Sequence, residues 1–120
     1  MWQVVLHYGN HFLVILLIAW FYDRQNLWRN YFVLLATMLV DIDHLWAEPI
    51  FDPKRCSIGF HTFHSEIAIL IYFGILIFVQ HKTIRLIAIG LIFHMITDGI
   101  DCLWLNFESF SNKLLTFTKI

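Results

Sequence analysis

Long apolar runs separated by short polar breaks divide the chain. A helix that crosses a bilayer needs about 20 mostly apolar residues. The pattern predicts such spans over residues 2–22, 28–46, 64–80 and 84–104. The first ends in Ala19-Trp20-Phe21-Tyr22-Asp23, an aromatic belt of the kind found at headgroup level. It has neither a basic leader nor an A-x-A-like cleavage site, so it reads as a retained span rather than a signal peptide. Glu48-Pro49 and Asp52-Pro53 end the second span, because proline lacks an amide donor and fixes its own torsion. A polar loop over residues 49–61 leads to the third span, capped by His64 or Ser65. His81-Lys82-Thr83 turns the chain into the fourth. The expected fold is an all-α, polytopic transmembrane bundle of four helices over residues 1–105. Residues 106–120 are expected to form a short tail, amphipathic at the interface or loosely ordered.

Composition agrees with lipid as the main solvent. The chain has 120 residues, 59% hydrophobic and 14% charged, against about 25% charged in soluble domains. Mean hydropathy is +0.68. A soluble protein this short could not bury so much apolar surface. The net charge of −1 excludes a nucleic-acid binder. Arg24, Arg29, Lys82 and Arg85 flank the first and third loops close to helix ends. The positive-inside rule therefore places those loops in the cytoplasm, with the second loop and both termini on the periplasmic face of a bacterial inner membrane. Four short spans make a thin bundle, which leaves room for a homodimer.

The polar residues inside the spans collect toward one face. His7 and His11 lie near the start of the first span, and Asp41, Asp43 and His44 close the second. His61 and His64 open the third, and His94, Asp98 and Asp101 occupy the second half of the fourth. All are on the side of the second loop; His81 is on the other side and is excluded. Residues three or four apart share a helix face, so each segment offers a His or Asp pair aimed one way. Bundle-core metal sites are built by that device. A carboxylate deep in a span costs a few kcal/mol, about 3 on insertion scales. A divalent cation offsets that cost and takes neutral imidazole as co-ligand.

The expected metal ligands are His7, Asp41, His44, His61, His64, His94 and Asp98, with Asp41 and Asp43 as the catalytic carboxylates. Plainer roles compete for single residues: His11 as a packing residue, Asp43 as a solvated helix end, Asp101 as a cap. The set is too large for one zinc ion, so two or more metals, or one metal with carboxylates orienting its imidazoles, are expected. His and Asp without thiolate favour Zn, Mn or Fe. Cys56 and Cys102 fall on the same side, and a bridge between them is expected if that side is periplasmic.

Asp41-Ile42-Asp43-His44 at a span end, then Phe63-His64-Ser65, then His94-Met95-Ile96-Thr97-Asp98 form an ordered set. In this order they resemble the inner-membrane-associated, YdjM-like group of metal-dependent hydrolases, itself similar to the zinc-dependent phospholipase C superfamily. They also resemble a compact four-span family of unknown function from Bacteroidetes-type bacteria. The resemblance covers about residues 6–102 and implies metal-dependent hydrolysis. One departure bears on the substrate loop: His61 and His64 are three apart, where the hydrolase group has its two histidines five apart around an Arg-Gly pair. The depth of the cluster points to a lipid or phosphoester substrate at headgroup level. The alternative is a non-catalytic membrane protein that binds metal, transports it, or uses the His–Asp pairs structurally.

Overall fold

The computed structural model describes residues 2–50 and 52–117, and among these every regular element is helical. The first helix, α1, covers Trp2–Tyr22. It is α-helical except at Asn10–Val14, where one turn widens to a π-helix. The second helix, α2, runs over residues 27–46. It starts as an α-helix over Leu27–Ala36 and tightens to a 3-10 helix over Thr37–Trp46. The third, α3, covers Glu66–Phe78, and the fourth, α4, covers Lys82–Phe117. The Ser65 hydroxyl caps α3 by accepting from the Ala68 amide over 3.2 Å. That makes α3 shorter than the expected 64–80.

The tightening of α2 decides what faces inward. A 3-10 helix has three residues per turn, so positions three apart eclipse one another. Burial along the segment follows that period. Thr37, Val40 and Asp43 are buried, Met38, Asp41 and His44 are half-buried, and Leu39, Ile42 and Leu45 are exposed. Asp41 and Asp43, two apart in sequence, therefore belong to adjacent rows on the inward side.

Helix α4 is the central element, packed against α1, both halves of α2, and α3. Its 36 residues make a rod of about 54 Å at a rise of about 1.5 Å per residue, which sets the molecule's longest extent of 61 Å. The helix itself runs past the expected end of the fourth span near residue 104. Residues 106–117 continue α4 without a break. Nothing in that stretch stops a helix: it holds no proline or glycine, and Trp104 Nε1 donates to Glu108 Oε1 one turn on, over 2.9 Å. The rest of the expected tail, residues 118–120 including Lys119, lies outside the described residues.

At the end away from the histidines, Ile15, Ala19, Leu34 and Leu86 form an apolar core. Arg29 Nη2 donates to Thr83 Oγ1 over 2.6 Å, and the Tyr22 hydroxyl donates to the Lys82 carbonyl over 2.8 Å, so the first and third loops are tied together. The other end reverses the usual arrangement. His11, Asp43, His61, His64, His94 and Asp98 are buried, while Leu13, Leu39, Ile67, Leu70 and Leu103 are largely exposed. Two helices, α1 and α4, are long and apolar enough to cross a membrane.

The close approach of α2 and α4 depends on Gly90. A Cβ there would lie 2.7 and 2.8 Å from Thr37 side-chain atoms and 3.0 Å from Leu34. Thr37 cannot swing freely, because its hydroxyl donates to the Leu34 carbonyl over 2.5 Å in a buried setting. Gly90→Ala should therefore destabilise the protein by about 1–3 kcal/mol, the usual range for overpacking. Gly74→Ala in α3 has open space at its Cβ and serves as control. Thermal unfolding in detergent should show a lower midpoint for Gly90→Ala alone; equal midpoints would contradict the contact.

Candidate metal centre

Four donor atoms from three segments converge where α2, the turn before α3, and α4 meet. They are Asp41 Oδ1, His64 Nε2, His94 Nε2 and Asp98 Oδ2. His94 and Asp98 come from one face of α4, four residues apart. Asp41 comes from the 3-10 segment of α2, and His64 from a single 3-10 turn over Thr62–His64. That turn is held from two sides: the Phe63 amide donates to Asp43 Oδ2 over 2.7 Å, and the Tyr72 hydroxyl donates to the Phe63 carbonyl over 2.9 Å. Gly59, at φ +79°, supplies the left-handed residue that folds the loop back. Its amide donates to the His64 carbonyl over 3.0 Å.

Spacing makes these atoms candidate ligands, with His94 Nε2 hydrogen-bonded to Asp41 Oδ1. Asp41 Oδ1 is 3.0 Å from His94 Nε2 and 3.3 Å from His64 Nε2, and Asp98 Oδ2 is 3.1 Å from His64 Nε2 and 3.5 Å from His94 Nε2. A tetrahedral ion with bonds of about 2.0–2.1 Å sets its ligand atoms about 3.3–3.4 Å apart. Four edges of such a tetrahedron are thus already formed. Although buried and close to two carboxylates, His64 Nε2 makes no hydrogen bond. Its lone-pair direction misses both oxygens, as expected for donors aimed at a common point.

The other face of His64 fixes its tautomer. Nδ1 is 3.0 Å from Asp43 Oδ2. A carboxylate only accepts, so Nδ1 carries a proton, and in the neutral ring Nε2 is the lone pair that a metal would take. A carboxylate behind an imidazole is the usual means of orienting a metal-binding histidine and raising its basicity. Asp43 is fully buried, so it stands behind the ligands rather than beside solvent. It contacts the His64 ring and does not line the pocket. Of the two, Asp41, whose side chain is 38% exposed, is the one on the cavity wall.

Of the other expected ligands, His44 and His61 stack with ring centroids 3.8 Å apart. Both His44 nitrogens are occupied: Nδ1 lies 3.2 Å from both the Asp41 carbonyl and Asp43 Oδ1, and Nε2 lies 3.3 Å from Ser57 Oγ. Asp43, His44 and His61 still bring one donor each within 4.8 Å of one another. Burial, with His44 alongside, holds the His61 imidazole below its ordinary pKa. Neutral His61 is the form a metal would need, and also the form that stacks most easily on a neighbouring imidazole. His7 lies apart from the four-atom set, with Nδ1 2.6 Å from Asp101 Oδ2. His11 and Asp101 belong to the polar cluster expected on this side but not to the expected ligand set. Their spacing of four from His7 and three from Asp98 was the available signal.

A pocket of about 410 Å³ opens onto this centre. Its wall includes Asp41, Asp98, His7, His44, His61 and Arg55. Arg55 is fixed there by donating from Nη2 to the Pro49 and Ile50 carbonyls over 2.8 and 3.2 Å, and by lying over the Phe60 ring. Cys56 and Cys102, both on the pocket wall, form a disulfide that joins the loop to α4. Unreduced protein opened in detergent should therefore show no maleimide-reactive thiol, whereas two labelled thiols per chain would contradict the bridge.

Residues 1–105 match the family model described as "Family of unknown function (DUF6122)". No curated protein and no solved structure matches the chain.

Proposed function

The chain belongs to that family of unknown function, and we propose that it is a four-span membrane protein whose His–Asp centre holds a divalent metal for hydrolysis of a lipid or phosphoester at headgroup level. The observation that carries the reading is the closed set of four donor atoms spaced as a tetrahedral ion requires and opening on a pocket. Zn fits the donors best, and Mn or Fe are compatible with them. In this reading α2 and α3 cross the bilayer beside α1 and α4, which accounts for the apolar side chains that all four present outward. The disulfide and the basic residues at the first and third loops support a periplasmic site in a bacterial inner membrane.

The roles follow from position. His64, His94 and Asp98 hold the ion. Asp41 either completes the set or, being on the pocket wall, accepts the proton of the attacking water. Asp43 keeps the His64 tautomer. The guanidinium of Arg55 faces the pocket, where it pairs with an anionic headgroup. Lys54, its neighbour in sequence, is exposed and does not line the pocket. A divalent ion, when bound, acidifies water and polarises the phosphoryl or carbonyl oxygen. Hydrolysis itself rests on the motif resemblance to the YdjM-like group. A transport role is disfavoured by the apolar core of Ile15, Ala19, Leu34 and Leu86, which blocks a polar route to the other face.

Two outcomes test this. His94→Ala should lower bound metal to background in elemental analysis of detergent-purified protein and abolish hydrolysis of phospholipid or a phosphodiester reporter. Undiminished metal would sink the reading. Asp43→Asn should weaken metal affinity about 10–100-fold, as loss of an orienting carboxylate does, with stoichiometry kept at saturation. Unchanged affinity would show that the Asp43–His64 contact does not orient the ligand.

A further inference from the structure

We propose that His7, His11 and Asp98 hold a second divalent ion next to the first, with Asp98 shared between them. The proposal rests on the metal-centre reading above for the first ion and adds a site that the four-atom set does not include. Its starting point is His11, only 2% exposed, whose Nε2 has no hydrogen-bond partner. A buried imidazole nitrogen left unsatisfied costs about 1–3 kcal/mol. A leucine would fill the same space without that cost, so packing alone does not explain a histidine here.

The surroundings supply the missing partners. The His11 ring lies 4.6 Å from His7 and 4.6 Å from His94, centroid to centroid. One donor each from His7, His11 and Asp98 lies within 4.8 Å of the others. Two of these three residues are buried, and His7 lies on the pocket wall. The His7 ring is itself oriented, with Nδ1 held by Asp101 Oδ2 at 2.6 Å. The arrangement repeats the first centre, where Asp43 holds His64. It also gives Asp101 a role beyond capping.

Backbone winding points the same way. Helix α1 widens to a π turn over Asn10–Val14, the turn that contains His11. Such turns are rare and gather at functional sites, because the extra residue re-aims a side chain. Asp98 already places Oδ2 in the first set, and a carboxylate has a second oxygen to offer. Paired ions bridged in this way sit about 3.5–4 Å apart and clamp both oxygens of an in-line displacement. The second position has three protein donors, against four around the first. That leaves coordination positions for water from the pocket and favours a six-coordinate ion such as Mn or Fe, or an open zinc.

Metal stoichiometry decides the matter. Full-length protein in detergent is stripped with chelator, reloaded with Zn(II) or Mn(II), dialysed to equilibrium and analysed for metal. Wild type should bind two ions per chain. His11→Gln should bind one, with the affinity of the remaining ion within a few-fold of a wild-type site. Asp98→Asn should bind neither tightly. In Mn(II)-loaded wild type, exchange-coupled electron paramagnetic resonance should appear, and it should vanish in His11→Gln. If His11→Gln does not fold, His7→Gln, at a part-exposed position, carries the same expectation. Two ions retained in the variant would overturn the proposal, with water then bridging the unpaired His11 and His94 nitrogens. One ion in wild type, lost in His64→Gln but kept in His11→Gln, would overturn it while leaving the first centre intact. No ion in wild type would overturn both readings.

Discussion

Everything at the polar end of this molecule follows from the burial of carboxylates among imidazoles. Asp98 is nearly closed off and Asp43 completely so. Unpaired, each would weigh against folding by several kcal/mol in effective terms. The chain answers by surrounding them with His64, His94 and His44, and by directing one more carboxylate, Asp41, at the same point. Imidazole nitrogens divide between carboxylates behind them and a shared centre ahead. A cation at that centre turns a crowded set of acids and bases into a mutually stabilising one. His64 Nε2, which faces that centre, is buried without a hydrogen-bond partner.

The backbone is bent to serve that constraint. A regular α-helix over residues 37–46 would rotate 100° per residue and could not hold Thr37, Val40 and Asp43 in one buried row. The 3-10 winding does hold them. The π turn in α1 is the opposite adjustment, widening where α2 tightens. Gly90 lets α2 approach α4 closely enough for Asp41 to reach His94. The disulfide and the Gly59 turn bring the second loop over the result. The irregular windings lie toward the His–Asp end, whereas the other end is an ordinary apolar core.

Much of this was legible in the sequence, for identifiable reasons. Helix number and approximate limits came from the length of apolar runs and from the prolines after Trp46. The gathering of Asp41, His64, His94 and Asp98 was legible from spacing, since residues three or four apart share a face of an α-helix and residues three apart share one of a 3-10 helix. The division of labour between Asp41 and Asp43 was not legible. It depends on 3-10 winding, which separates by one row two residues that a sequence reading treats alike. His44 looked equal to His64 for the same reason, but its ring turns to Ser57 and stacks on His61. His11 gave only a spacing to His7; its unpaired nitrogen appears once α1 meets α4. The continuity of α4 past residue 104 was not legible, because a mixed polar and apolar stretch fits an amphipathic segment and a loose tail alike, although it holds nothing that breaks a helix.

The central claim is that Asp41, His64, His94 and Asp98 hold a metal without sulfur. X-ray absorption at the metal edge of purified, metal-loaded protein tests it most directly. The account predicts an inner shell of nitrogen and oxygen only, at about 2.0–2.1 Å for zinc, with the outer-shell scattering of at least two imidazoles. A sulfur scatterer at about 2.3 Å, or a spectrum of hydrated ion with no imidazole contribution, would contradict it.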